Sequence, residues 1–165
     1  MMATAPSPAP VNTYKVSGRR KLRFQNQDEI LADCERLLGG YRQLGNWSLG
    51  KMACHLADAC NMALEPTTIR VPWFMRFVAR TVFKNKAMQK MSPGFKLPKS
   101  AATLEPCETE DRAGVEKFRQ TLTRWKQQKE RYHHPFFGYL TNEEWETLML
   151  RHAEMHLSFL LPTNP

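Results

Sequence analysis

The chain has no apolar run approaching the roughly 20 residues that cross a bilayer, so no transmembrane helix is read. It has no glycine-rich phosphate loop, no G-x-S-x-G turn and no C-x-x-C pair, so P-loop, serine-hydrolase and dithiol chemistries find no support. Its four cysteines, Cys34, Cys54, Cys60 and Cys107, fall at no disulfide-framework density. They read as small buried hydrophobes in a reducing compartment. No alternating strand pattern of any length appears, and no internal repeat. Acid is missing from one stretch altogether. Residues 70–99 hold Arg70, Arg76, Arg80, Lys84, Lys86, Lys90, Lys96 and Lys99 and neither Asp nor Glu. The other 16 basic residues balance the 16 acidic ones, so this segment carries the whole net charge of +8. A local patch argues for an acidic ligand or surface there, and against a protein coated generally by nucleic acid.

What is present suits one soluble helical domain of 165 residues, 42% of them hydrophobic. Residues 1–17 read as a disordered tail, uncharged up to Thr13, and 18–162 as the domain. Gly18-Arg19-Arg20-Lys21 has the look of a twin-arginine signal. The polar Gln25-Asn26-Gln27-Asp28-Glu29 follows where an apolar segment would be needed, so a cytoplasmic protein is expected. A first helix starts at Asn26, with Glu29 at the reciprocal capping position, and stops at Gly39-Gly40. Ile30, Cys34, Leu37, Leu38 and Tyr41 form its stripe. Gly45-Asn46-Trp47-Ser48 opens a second helix that runs to about Leu64, before Pro66. Residues 72–91 form an amphipathic helix, with Trp73, Phe74, Phe77, Val78 and Val82 on one side and Arg76, Arg80 and Lys84 stacked on another. Such a helix binds membrane surfaces or anions, or more often caps a core with its lysines in water, the reading taken here. Another helix follows Thr109, turning Val115, Phe118, Leu122 and Trp125 inward.

The most informative stretch is the last helix. Thr141 and Glu144 make a capping box, and Leu140 and Trp145 a hydrophobic staple across it. Trp145, Leu148, Met149, His152, Met155, His156 and Phe159 then recur at the spacing of one buried face. His152 and His156 are four residues apart, which brings Cβ atoms within about 5–6 Å and lets two imidazoles converge on one ion. One inward histidine is more often a hydrogen-bonded core residue than a ligand. Two leave both readings open, and a helical pair needs a third ligand from elsewhere. The pattern is not His-Glu-x-x-His, because Glu154 falls on the far side of the helix. His55 lies at the edge of the second helix's apolar face, beside Met52, Ala59 and Met62, where either a pocket border or a half-exposed surface histidine would sit. His133-His134 before Pro135 either lines a pocket mouth or, as is commoner, anchors the loop by a backbone hydrogen bond.

Asn46-Trp47-Ser48-Leu49-Gly50-Lys51-Met52-Ala53-Cys54-His55-Leu56, together with His152-x-x-x-His156, resembles the DinB/YfiT-like superfamily. Pro93-Gly94-Phe95-Lys96-Leu97-Pro98 and His134-Pro135-Phe136-Phe137-Gly138 are further similar to a bacterial branch of it with no assigned activity. The likeness covers residues 18–161. It implies an all-α, up-down four-helix bundle with an extra short amphipathic helix between helices 2 and 3. It also implies a divalent metal (zinc, nickel or iron) held by His55, His152 and His156, with water or substrate in the remaining positions. Relatives include bacillithiol- or mycothiol-dependent S-transferases and isomerases and an iron-binding part of an ergothioneine-forming enzyme. By analogy the metal would bind a low-molecular-weight thiol, lower its pKa and present a thiolate nucleophile. Asp58, one turn from His55, is placed to accept that histidine's other N–H, or else is a solvated charge. Arg76, Arg80 and Lys84, with His134 at the mouth, would receive the carboxylates of the thiol.

Three functions follow as expectations. The first is a metal-dependent thiol S-transferase acting on a small-molecule substrate. The second is a non-catalytic metal- or ligand-binding bundle. The third is a basic interaction module whose histidines are core residues. A homodimer remains open.

Overall fold

The structure, a computed structural model, describes residues 10–94 and 105–163. The last four residues of the PGFKLP motif (residues 95–98, with Lys96), Lys99 and residues 1–9 of the expected tail lie outside the described residues.

The architecture is helical, with one small sheet. In chain order it comprises α1 (Gln27–Leu38), β1 (Tyr41–Gln43), α2 (Leu49–Leu64), α3 (Trp73–Val78), a π-helical stretch (Ala79–Phe83), α4 (Lys84–Gln89), α5 (Asp111–Gln127), α6 (Asn142–Leu157) and β2 (Leu160–Pro162). The long helices α1, α2, α5 and α6 share one core, in which Ile30, Leu37, Leu49, Leu56, Phe118, Leu122 and Leu157 are shut off from solvent. Helix starts follow the local chemistry. Asn26 accepts from Glu29 N at 3.0 Å and Ser48 from Lys51 N at 3.2 Å. At α6 the capping box is complete, and Leu140 and Trp145 are both buried beside it. At α1, Glu29 reaches one residue further back than the box predicts, taking the N–H of Gln25 at 2.8 Å.

Helices α2 and α5 touch backbone to backbone. A Cβ on Gly114 would stand 2.3 Å from the Gly50 carbonyl oxygen, so only glycine fits. Asp111, the first residue of α5, accepts the Gly50 N–H at 2.7 Å and the Tyr41 hydroxyl at 2.9 Å. One carboxylate thus satisfies an orphan donor of α2 and ties the sheet to both helices.

Within residues 10–17 of the expected tail, Asn46 accepts from Val11 N (2.6 Å) and donates to Val11 O (2.9 Å), and Thr13–Lys15 make a 3₁₀ turn. Other expectations are corrected. Tyr41 is not in the first helix but in β1, paired antiparallel with β2 in the register Tyr41–Pro162, Arg42–Leu161, Gln43–Leu160. Three-residue strands are too short to carry an alternation signal. Arg19 and Arg20 are used inside the fold. Arg19 donates to Met155 O (3.0 Å) and Ser158 Oγ (2.7 Å), and Arg20 makes a forked pair with Asp33 while donating to Leu157 O (2.9 Å). Cations at these last carbonyls complement the negative end of α6.

Helix α6 is enclosed on both sides. Glu154 does face away from the histidines, yet it is buried there with Arg151 (2.9 Å) and accepts the Phe24 N–H at 2.7 Å, while Arg151 donates to Phe24 O. The largest departure concerns residues 72–91. Spacing places their apolar stripe on the core, but Trp73, Phe77 and Val82 are 80%, 64% and 60% exposed. The segment instead docks through Ala79, Ala87 and Met88, and through the Lys84–Glu144 ion pair at 2.6 Å. Periodicity reports that a stripe exists; it does not say what covers it.

Candidate metal centre

The start of α2 sets up the site. With Ser48 as cap, His55 lies seven residues on, about two turns, and so on the same side of the helix as Ser48. His152 and His156 occupy the last turns of α6. Where α2 packs on α6, the three imidazoles meet. His55 Nε2 is 3.3 Å from His152 Nε2, and His156 Nε2 is 3.0 Å from the same atom. One ring nitrogen from each lies within 4.8 Å of the others. His55 and His156 are 5% and 9% exposed and His152 is half-buried.

Those distances suit one shared ion. Two nitrogens each about 2.0–2.1 Å from a metal lie about 3.3 Å apart at a tetrahedral angle and about 2.9 Å apart at a right angle. Hydrogen bonding alone serves the arrangement poorly. A neutral imidazole nitrogen either donates one proton or offers one lone pair, so His152 Nε2 can make only one good bond. It faces two partners. A cation at the centre satisfies all three lone pairs at once.

Protonation agrees with this. His152 and His156 are both held well below the ordinary imidazole value, first by burial. The neighbouring imidazoles push the same way: His55 and His134 on His152, and His152 and His55 on His156, with Arg19 adding to the latter. Neutral rings at neutral pH are the ligand form, with no proton to displace.

Around the cluster the indole of Trp47 lies flat on His156, centroids 5.0 Å apart and planes 12° apart, and leans on His55 at 5.2 Å. The residue before the helix cap therefore walls the site. The sequence motif assigns Trp47 no task of its own; its position beside Ser48, two turns from His55, is the available signal.

The remaining candidate residues sit elsewhere. Asp58 binds Lys117 Nζ at 2.6 Å, and its other oxygen faces Cys54 Sγ at 3.7 Å. His134 Nδ1 accepts the N–H groups of Phe136 (3.1 Å) and Phe137 (3.2 Å), and its backbone pairs with Gly138, which is the loop-anchoring role. Burial lowers its pKa to about 3. Lys84 is engaged by Glu144 in the first turn of α6, about 12 Å along the helix from His152 at 1.5 Å per residue. Arg76 lies against Gly138, and Arg80 is exposed on the same segment. The structure thus brings together the three histidines and Trp47, and pairs Lys84 with the opposite end of α6.

The reading of four unpaired cysteines is overturned. Cys54, the neighbour of His55, is disulfide-bonded to Cys107, 53 residues away, while Cys34 and Cys60 are free and buried. A pairing between a helix and a distant loop has no local spacing to announce it. Lys117 Nζ lies 3.2 Å from Cys54 Sγ.

No curated protein and no solved structure matches the chain. The profile of one family, described as protein of unknown function (DUF1569), matches residues 16–163, which take in α1 through α6 and all three histidines; the chain belongs to that family.

Proposed function

We propose that this protein is a metal-dependent enzyme of the DinB/YfiT-like type, a four-helix bundle that holds a divalent ion on His55, His152 and His156. The reaction we favour is transfer of a low-molecular-weight thiol to a small electrophile. The observation that carries the reading is the convergence of three Nε2 atoms at 3.0 and 3.3 Å, a contact set that hydrogen bonds alone do not satisfy. The donor set of three imidazoles fits zinc, nickel or iron and leaves coordination positions open. When bound, such an ion supplies Lewis acidity that holds a thiol in its thiolate form.

The chain's own part is positional. Ser48 fixes where α2 begins and hence the phase of His55, the turns of α6 space His152 and His156, and Trp47 braces two of the three rings. Burial favours the neutral form of His152 and His156 and shields one side of the site from water.

The test is elemental analysis of tag-free protein, followed by turnover of monochlorobimane with bacillithiol, mycothiol or glutathione. About one first-row metal per chain, lost in His55→Ala, together with thiol-dependent turnover, is the expected result. Metal without turnover returns the protein to a non-catalytic metal-binding role. No metal after reconstitution removes the reading.

A further inference from the structure

The segment Trp73–Gln89 presents large apolar side chains outward. Trp73 is 80% exposed, and Phe74, Phe77, Val82 and Phe83 are each at least half exposed. A soluble monomer seldom leaves so many contiguous aromatics in water. The cations on and beside this face are Arg76, Arg80, Lys86 and Lys90, all exposed, and no acid occurs between Arg70 and Gly94. The face is held outward by construction, because Ala79, Ala87 and Met88 fasten the opposite side to the core.

We propose that this segment docks the protein on an anionic lipid surface, with Trp73, Phe74 and Phe77 entering the interface and the arginines and lysines meeting the headgroups. The chemistry selects this occupant. Aromatic anchors flanked by cations of a single sign are the composition of an interfacial helix, and indole rings favour the boundary between headgroups and chains. A second copy fits poorly, since a two-fold would bring each cationic segment against its own like. The docking face is separate from the histidine site, so the two proposals stand or fall apart.

The test uses the full chain in flotation with vesicles of phosphatidylcholine alone and of phosphatidylcholine with phosphatidylglycerol. Binding to the anionic vesicles only, weakened by salt, is expected, with a blue shift in tryptophan emission quenched by brominated lipid. Of the four tryptophans Trp73 is the most exposed at 80%, Trp47 is half-buried and Trp125 and Trp145 are 5% and 3% exposed, so the shift should be lost in Trp73→Ala. Trp73→Ala/Phe77→Ala should lower the partition at least about tenfold and Arg80→Gln about fivefold, each with unchanged circular dichroism. Absence of flotation, or full flotation of the double variant, overturns the proposal. So does a lipid-free dimer that the double variant dissociates, which would assign the face to a second copy, or tighter binding to duplex DNA than to vesicles.

Discussion

Replacing His152 by alanine separates a metal site from a histidine-lined core. His152 Nε2 stands between the other two imidazoles, at 3.3 Å from His55 and 3.0 Å from His156, yet can make only one good hydrogen bond to them without a metal. Its removal from metal-free protein therefore costs about one hydrogen bond, about 1 kcal/mol, partly offset by relief of the crowded nitrogens. Half-buried His152 leaves a gap that water can enter, so no large cavity penalty is added. Metal should separate the two proteins strongly. An ion that binds only the folded state at a hundredfold excess over its dissociation constant stabilises it by about 2.7 kcal/mol. At roughly 2–4 °C per kcal/mol for a domain of this size, melting should rise by about 5–10 °C. The assay is thermal unfolding of wild type and His152→Ala after chelation, with and without added zinc, nickel or ferrous ion. Wild type should gain the full shift and the variant little, from nearly equal metal-free midpoints. Equal shifts in both proteins would refute the site. A metal-free variant destabilised by several kcal/mol would show the histidine to be a core element.

Two further outcomes follow from neighbouring groups. His134 is buried with its pKa lowered to about 3, so the unfolded chain takes up a proton near pH 6.5 that the folded chain refuses. The stability it contributes is present above about pH 6.5 and is lost as pH falls towards 3. At pH 5.5 that loss is about 1.4 kcal/mol, which should be absent in urea titrations of His134→Asn, whose Oδ1 can still accept the loop N–H groups. Reducing the Cys54–Cys107 bond frees a loop of 53 residues, worth up to about 4 kcal/mol in the chain-entropy model. Unfolding with and without dithiothreitol should show that loss, and Cys107→Ser should be insensitive to the reductant; identical curves for wild type in both conditions would exclude the bond.

What the sequence made legible was what is local. The capping box at Thr141, the staple across it and the four-residue spacing of His152 and His156 each need only one helix to exist. Glu154 shows where single-helix reasoning stops. Its place on the far side of α6 is read correctly from 100° per residue, but its burial depends on the Phe24 segment crossing that side, which no window around residue 154 contains. The same limit applies to the stripe of residues 72–91. An apolar face is defined by spacing, whereas its partner is defined by the rest of the fold, and here Ala79, Ala87 and Met88 took the contact instead. Cys54 and Cys107 are the extreme case, a covalent contact across 53 residues with no periodicity at all.

The third histidine lies between these limits. A helical wheel puts His55 at the border of an apolar face and goes no further; α2 must then meet α6 at one height for that border to become a ligand position. Two features near the start of α2 help fix that height. Gly50 lets α5 press directly on the helix, and Asp111 from α5 binds the Gly50 N–H. Trp47, just before the cap, then rests on both His55 and His156, touching both helices of the site. The Trp-Ser pair is thus legible as a helix start from sequence, and as a site element only once the second helix is in place. A substitution at Trp47 should accordingly disturb the relation of His55 to His156 before it disturbs the helix that Ser48 caps.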